Sequence, residues 1–389
     1  MIDWWTQQDV VIQGIIIPGI VIRSTLIAFV AVALFQILYY WIVLGRMAFF
    51  NPKKHAVAIA TELPSVSVII VAENDYQNLR KNLTSILEQD YPDFEVVVVN
   101  SSLQETSSFY LLKNLSSQYS HLKTVELPDV RTFYSRRKFL IALGVKESNK
   151  DVLLSTNTDC QPDSPFWIRS MVAQMNDKKQ LVLGYAGAAA ANRFYRLDMV
   201  NTSLTCLSLA RCGMPYTGTG NNLACSWELF NEANGLVSHY AIPYGEDALF
   251  INKNATKKNT SVSLNTDALV HIQSKMTFRR WIRLKKTARL SQKHYKKSHR
   301  FVLSLFPFTR FMSYLFFVGL LCLLPLSQLY YTIIGVFALR TISQLVITKK
   351  AMQRFNEKGV LLLQPLLEPV YMMLSWRVFL RTLFRRKKG

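Results

Sequence analysis

Paired cysteines are missing from this chain of 389 residues. The five that occur, Cys160, Cys206, Cys212, Cys225 and Cys322, make no CxxC pair and no metal-ligand spacing. That excludes a disulfide scaffold and a zinc ribbon, and fits reduced structural thiols in a cytosolic domain. Acid is scarce too. Only 25 Asp and Glu stand against 46 Lys and Arg, a formal charge of +21. Residues 279–300 hold ten Lys or Arg and no acid. Nucleic acid or anionic lipid would answer such charge. Apolar segments flank the basic run, which favours lipid headgroups and argues for no nucleic-acid partner. Internal repeats and low-complexity tracts are also absent, so a repeat array is excluded.

Apolar residues make up half of the chain, and the mean hydropathy is +0.13. The length predicts two regions or more. Residues 24–44 are uncharged and almost wholly apolar, enough for one membrane span. Tyr39, Tyr40 and Trp41 near its end suit an interface. Arg46, Lys53 and Lys54 follow it, against Arg23 before it, which predicts a cytosolic location for what comes next. Residues 10–22 are apolar but broken by Gly14, Pro18 and Gly19, and lack a basic leader. They read as an interfacial or partly inserted segment.

From 63 the pattern becomes compact α/β. Residues 66–71, VSVIIV, and 94–99, FEVVVV, read as buried strands. Between them residues 78–89 place Leu79, Leu83, Ile86 and Leu87 at helical spacing, and Pro92 follows the helix end. A helix over 104–119, a strand near 123–126, a helix over 138–145 and a strand at 152–154 come next. A strand at 181–184 and a helix over 194–211 follow. The alternation predicts a mostly parallel sheet with helices on both faces, a Rossmann-like arrangement, whose ligand site lies at the carboxyl ends of the strands.

Residues 151–163, DVLLSTNTDCQPD, run from a buried strand into a polar turn. One carboxylate, Asp159, sits there among Thr156, Asn157 and Thr158. A hard cation carrying phosphate suits such a turn. Residues 215–224 form a glycine-bearing loop, and Glu246-Asp247 precede an apolar helical turn.

After 300 the membrane pattern returns. Residues 311–339 carry no charge, with Pro325 inside, which predicts spans at about 311–327 and 329–347. Arg340 would snorkel toward Lys349 and Lys350. Residues 360–380 contain Glu368, Arg377 and two prolines, and read as an interfacial, re-entrant or third spanning segment. The whole divides into an N-terminal anchor (1–50), a cytosolic domain (63–278), a basic membrane-surface helix (279–300) and a C-terminal membrane region (301–389).

Six stretches in order carry a resemblance: VSVIIVAEND at 66–75, SILEQDYPDFEVVVVN at 85–100, RRKFLIALGV at 136–145, TNTDCQPDSPFWI at 156–168, PYTGTGNNLA at 215–224 and YGEDALF at 244–250. Together they resemble membrane-anchored family 2 glycosyltransferases of the GT-A fold, of the bacterial type with one N-terminal span and several C-terminal ones. The resemblance covers about 63–300. It implies sugar transfer from a nucleotide-diphosphate sugar, with inversion, to a lipid-linked or surface-polysaccharide acceptor at the cytoplasmic face of a bacterial inner membrane. It implies a donor site from Ala72, Asp75, Asn100, Lys138 and Asn157, and Asp159 as the ligand of Mg²⁺ or Mn²⁺. Asp247 would be the general base with Glu246 beside it. Gly218, Gly220, Asn221 and Asn222 would shape the acceptor side. Structural readings stand beside these. Asp159 also suits a plain turn, Asp247 a helix N-cap, Lys138 a solvated helix position, and 279–300 a solvated helix face.

The chain departs from the family pattern in one direction. Asn100-Ser101 replace an acid pair, and Asn157-Thr158-Asp159 replace Asp-x-Asp. Asn221 stands where arginine is common. The Gln-x-x-Arg-Trp motif expected near 284–288 reads Leu-Lys-Lys-Thr-Ala, leaving Lys285 or Lys286 as substitute charges. Losing an acid at Asn157 predicts weak metal affinity. Two functions follow: an active membrane glycosyltransferase, or a catalytically degenerate paralogue serving as a scaffold or regulatory subunit. A transporter is disfavoured by too few spans, and a processive synthase by the missing late motif.

Overall fold

The computed structural model describes residues 10–12, 15–17, 19–50, 63–101, 106–127, 135–324, 328–359 and 361–383. Lys53, Lys54, the turn at Pro325, the first residues of the helix expected from 104 and the basic tail from 384 lie outside them.

Two short antiparallel strands, β1 (Val10–Ile12) and β2 (Ile15–Ile17), open the described chain. Helix α1 (Gly19–Leu38) runs through a π-turn (Tyr39–Leu44) into α2 (Gly45–Ala48). The continuous stretch Gly19–Ala48 is 30 residues long and apolar enough to cross a membrane, longer than the 24–44 expected. Gly19 starts the helix inside what reads as an interfacial segment.

The α/β pattern follows as β3 (Val66–Ala72), α3 (Tyr76–Leu87), β4 (Phe94–Ser101), α4 (Thr106–Gln118), β5 (Leu122–Leu127), α5 (Arg136–Glu147) and β6 (Val152–Asn157). All seven residues of β3 are buried. Val66, Val68 and Ile70 face one apolar core with Leu79, Leu83 and Ile86 of α3. Ile69 and Val71 face cores shared with α5. A strand buried on both faces reads as an unbroken apolar run, and each such side chain contributes roughly 1.5–3 kcal/mol on burial. Gly144 lets α5 lie close on the sheet: a Cβ there would stand 2.9 Å from Ile69 and 3.0 Å from Val99.

Next come β7 (Cys160–Pro162), α6 (Trp167–Val172), β8 (Leu181–Leu183), β9 (Ala186–Gly187), α7 (Arg193–Arg211), β10 (Leu223–Ser226), α8 (Trp227–Glu232), α9 (Glu246–Asn254), β11 (Thr260–Val262) and β12 (Val270–Ile272). The main sheet has seven strands in the order β11-β8-β10-β6-β3-β4-β5. Strands β6, β3, β4 and β5 pair in parallel, and β10 runs antiparallel between β6 and β8. The order turns back at β3, which pairs with β4 on one side and β6 on the other. Ligands of open α/β sheets sit at such a reversal, beyond the carboxyl strand ends. A small sheet, β7-β12-β9, joins the strand directly after β6 to two later ones.

The C-terminal part holds α10 (Phe278–Gln292), α11 (Lys297–Leu323), α12 (Gln328–Arg354) and α13 (Gln364–Leu383). The basic run expected as one helix is therefore split at 293–296. Its last residues begin α11, and Trp281 of α10 is buried. Lys297–Leu323 and Leu329–Arg354 are also long and apolar enough to span, while α13 is not among the three such helices of the described residues. Instead, Arg289 of α10 sits over the Phe379 ring of α13, 4.6 Å from its centre.

Arg340 does not snorkel. It is 0% exposed, and both its terminal nitrogens lie 2.9 Å from the Glu368 carboxylate. Its Nε donates to Gln36 of α1 at 2.8 Å. Snorkelling serves a cation without a partner, and here α13 supplies one inside the bundle.

Candidate active site

Strand β3 ends at Ala72, buried beside Asn100 at the end of β4. Asn100 Nδ2 donates to Glu126 Oε2 of β5 at 2.8 Å. Its Oδ1 is buried with no partner among the described residues. A buried carbonyl oxygen without a donor costs desolvation energy, and an N–H from a bound ring would relieve it. Burial raises the Glu126 carboxyl, which the Asn100 amide partly offsets. Asp75 accepts from Asn78 at 3.0 Å and from Thr158 Oγ1 at 2.6 Å, tying α3 to the turn after β6.

That turn presents Asp159. Its Oδ2 accepts from Ser274 Oγ at 2.6 Å and from Arg280 Nη2 at 2.8 Å. The backbone around it is fixed by β12, since Gln273 N donates to Asp159 O at 2.8 Å. Arg280 reaches it from the first turn of α10, which Thr277 caps by accepting from Arg280 N. The arginine missing at 284–288 is thus met by a guanidinium from earlier in the same helix. Lys285 is not its replacement, for its ammonium lies 2.6 Å from Asp198 of α7.

Asn157 closes β6. Its side chain accepts from Arg137 and donates to Asn221, and Arg137 Nε lies 2.9 Å from Glu246 Oε1. One guanidinium therefore links the site of the lost acid to the Glu246-Asp247 pair. Its neighbour Arg136 donates to Ser101 and pairs with Glu73 at 3.3 Å.

Asp247 lies in the first turn of α9, behind Gly245, whose φ of 68° is left-handed. A side chain there would also strike Ser291. The N-cap is Gly245, so Asp247 does not cap the helix through its side chain. Asp247 Oδ2 accepts from Gly220 N at 2.8 Å. Gly220 is necessarily bare, because a Cβ would run into that carboxylate. The loop carrying it is held by β6: Ser155 Oγ donates to Gly220 O and Thr156 Oγ1 to Asn221 O, each at 3.0 Å. Asp247 borders a cavity of about 50 Å³ with Ile69, Ile141, Leu223 and Phe250. Burial and the adjacent Glu246 push its carboxyl up to about 6, against the pull of Arg137 and the Gly220 N–H.

Two expected contacts fall elsewhere. Lys138 is 2% exposed, and its ammonium donates to His239 O at 2.5 Å and to Ile242 O. Committed to those carbonyls, it pins the loop before α9; it is neither solvated nor open to a donor. Asn222 accepts from Trp167 Nε1 at 3.1 Å and donates to Tyr185 O and Ala268 O at 2.8 Å. It is a buried cross-link under the loop. Gly218 packs against Ile251 and Leu183, where a Cβ would clash. Arg137 and Arg280 escaped sequence reasoning because they lie within basic runs, where nothing marks one cation above its neighbours.

Among the described residues no three His, Cys, Asp or Glu gather as a metal cluster. Asp159 offers one carboxylate, already holding two donors on Oδ2. Among the described residues its Oδ1 meets Cys160 Sγ, at 3.7 Å. A divalent cation that takes a single carboxylate and completes its shell with phosphate and water fits this set.

A mostly parallel sheet with a carboxylate turn, a glycine loop and an acidic helix start at its carboxyl ends is the arrangement of the GT-A fold. Residues 67–197 match the model of glycosyl transferase family 2. The chain is 26% identical over 144 residues to glycosyltransferase AglE of Haloferax volcanii, 35% of this chain and 46% of that protein. It is 27% identical over 146 residues to probable glycosyltransferase YdaM of Bacillus subtilis, 37% and 33% of the two chains. The match thus spans less than half the length of either relative. The mannosyltransferase PcManGT from Pyrobaculum calidifontis, solved with GDP-Man and Mn²⁺, shares the fold. Its TM-score is 0.57 at 15% identity, over 86% of this chain and 98% of that one.

Proposed function

We propose that the protein moves a glycosyl residue from a nucleotide-diphosphate sugar to the hydroxyl of a lipid-linked or surface-glycan acceptor at the cytoplasmic face of a membrane, with inversion. The observation that carries this reading is the place of Asp247, in the first turn of α9 beside an apolar cavity with its Oδ2 on the Gly220 N–H. A carboxylate raised to about 6, set between an apolar cavity and the Gly220 N–H, suits a general base working near neutral pH. Asp247 takes the acceptor proton as the acceptor oxygen bonds to the anomeric carbon. The bond to the diphosphate breaks on the opposite face. Asn100 Oδ1 would accept from the nucleobase, with Ala72 and Asp75 beside it.

Arg137 and Arg280 meet the charge that develops on the departing diphosphate. Mg²⁺ or Mn²⁺ held by Asp159 would neutralise the same oxygens. The missing acid at Asn157 makes that cation weakly held, and Arg137 supplies charge in its place. The three apolar helices support a membrane location, and the basic residues of α10 support contact with anionic lipid.

The test is a donor panel that includes GDP-mannose and UDP-sugars, with and without Mn²⁺, on the full chain in nanodiscs. Transfer or donor hydrolysis that disappears in Asp247→Asn is the expected result. A second reading, a degenerate scaffold, is favoured by the Arg137–Asn157–Asn221 contacts that fill the place of the lost acid. Failure of every nucleoside diphosphate to bind at millimolar concentration would decide for it.

A further inference from the structure

Helix α12 ends at Arg354, and the chain turns down onto the small sheet behind Asp159. Phe355 stacks on Tyr185 with ring centres 4.0 Å apart and planes 3° from parallel. Asn356 turns the chain with a φ of 54°. Glu357 then enters a polar pocket and is 6% exposed. Arg196 of α7 grips its Oε2 from Nε and Nη2, at 3.0 and 2.6 Å. Tyr185 donates to Oε1 at 3.1 Å. His271 Nε2 lies 3.6 Å from the same oxygen, and His271 Nδ1 lies 2.6 Å from Asp163 Oδ1. Gly187 makes room: a Cβ there would stand 2.6 Å from the His271 ring and 2.7 Å from Glu357.

His271 is the centre of β12. Its backbone pairs with Gln161 of β7 and Gly187 of β9. Two and three residues on, Gln273 and Ser274 hold the backbone and carboxylate of Asp159. A carboxylate from the loop after the span-length helix α12 is thus three residues, counted through β12, from the grip on Asp159. Burying that carboxylate is costly unless it is fully paired, and here it is.

We propose that Glu357 is a positioning residue, through which the membrane helices hold the β7–β12 ribbon and so set the orientation of Asp159. The loop after α12 completes the polar cluster around His271 on this sheet. The role of Asp159 rests on the transferase reading above, whereas the mechanical link does not.

The experiment uses the full chain in nanodiscs, as Glu357→Ala and the isosteric Glu357→Gln. Hydrogen exchange is followed at the amides of 159–161, 163 and 270–274, with the amides of β3 and β4 as internal control. UDP and GDP binding with Mn²⁺ is measured on the same samples. We expect exchange at the ribbon to rise at least tenfold in Glu357→Ala and less in Glu357→Gln, with β3 and β4 unchanged. We also expect nucleotide affinity to fall about tenfold, with Glu357→Asp restoring part of it. Ribbon exchange equal to wild type, or exchange raised equally at β3 and β4 in both variants, overturns the proposal. If the ribbon loosens selectively while the wild type binds no nucleotide, the link stands and the transferase reading falls.

Discussion

Arg280 and Asp159, 121 residues apart, meet as an ion pair at 2.8 Å, with Ser274 on the same carboxylate oxygen. The pair has a consequence for ligand binding. In Arg280→Ala, Asp159 Oδ2 loses a charged donor worth about 1.5–3 kcal/mol. Mn²⁺ affinity of the free protein should rise, because the carboxylate is no longer neutralised. Nucleoside diphosphate affinity should fall about tenfold. Calorimetry of Mn²⁺ alone and of UDP or GDP separates the two effects, and a fall in both would contradict this role of Arg280.

The raised carboxyl of Asp247 sets a pH profile. The group must be ionised to accept a proton, so kcat/KM should climb as pH rises through about 6 and level off above it. Asp247→Asn should lose about 10²–10⁴-fold in kcat. Its nucleotide affinity should stay within a few-fold of wild type. An unchanged rate in that variant would remove Asp247 from the chemistry.

Gly220→Ala tests the same carboxylate from the other side. The new Cβ displaces the Asp247 side chain, so kcat should drop more than tenfold with little change in donor KM. A change in KM alone would argue that the loop serves donor binding.

His271 predicts a pH dependence of stability. Burial by itself would lower its pKa, but Asp163 and Glu357 on its two nitrogens override that and raise it to about 9. The groups around it are Asp163 of the turn after β7, Glu357 of the α12–α13 loop with Arg196 of α7 behind it, and the Tyr185 ring. A pKa higher in the folded than in the unfolded protein stabilises fully below about 6.5. That contribution is lost as pH rises through about 9. The melting temperature in detergent should therefore decline between about pH 7 and 9. The decline should flatten in His271→Gln, and a slope equal in both proteins would refute the assignment.

Inside the bundle, Glu368→Gln leaves Arg340 buried with a weaker partner. Breaking a buried pair costs about 3–5 kcal/mol, whereas replacing both members with apolar residues is often neutral. Glu368→Gln should lower thermal stability markedly, and Arg340→Met with Glu368→Leu should recover most of it. A double variant no better than the single one would mean that Gln36 and Gln344, which accept from Arg340, and Tyr314, which donates to Glu368, carry the packing.

Much of the scaffold was legible along the chain. VSVIIV and FEVVVV lie in central strands because only a fully buried strand carries unbroken β-branched runs. The spacing of Leu79, Leu83 and Ile86 marked α3. Asp159, Asn157 and Asp247 could be named because each stands at a strand end or helix start, which are local features. Lys138 and Asn222 stand equally near such ends, and nothing local tells that their polar atoms are spent on carbonyls and an indole. Arg340 looked like an interfacial cation because its partner lies 28 residues away on another helix.

By itself the sequence determined the α/β pattern, the apolar helices and the carboxylates at the strand ends, since hydrophobic period and turn chemistry act over a few residues. The tertiary structure alone decided which charges meet. Arg137 on Asn157 and Glu246, Arg280 on Asp159 and Glu357 beside His271 join positions 20 to 161 residues apart, counting Arg196 with Glu357 as the longest. The order of strands brings such groups to one edge. Their interaction energies depend on separation and burial, and both exist only once the chain has folded.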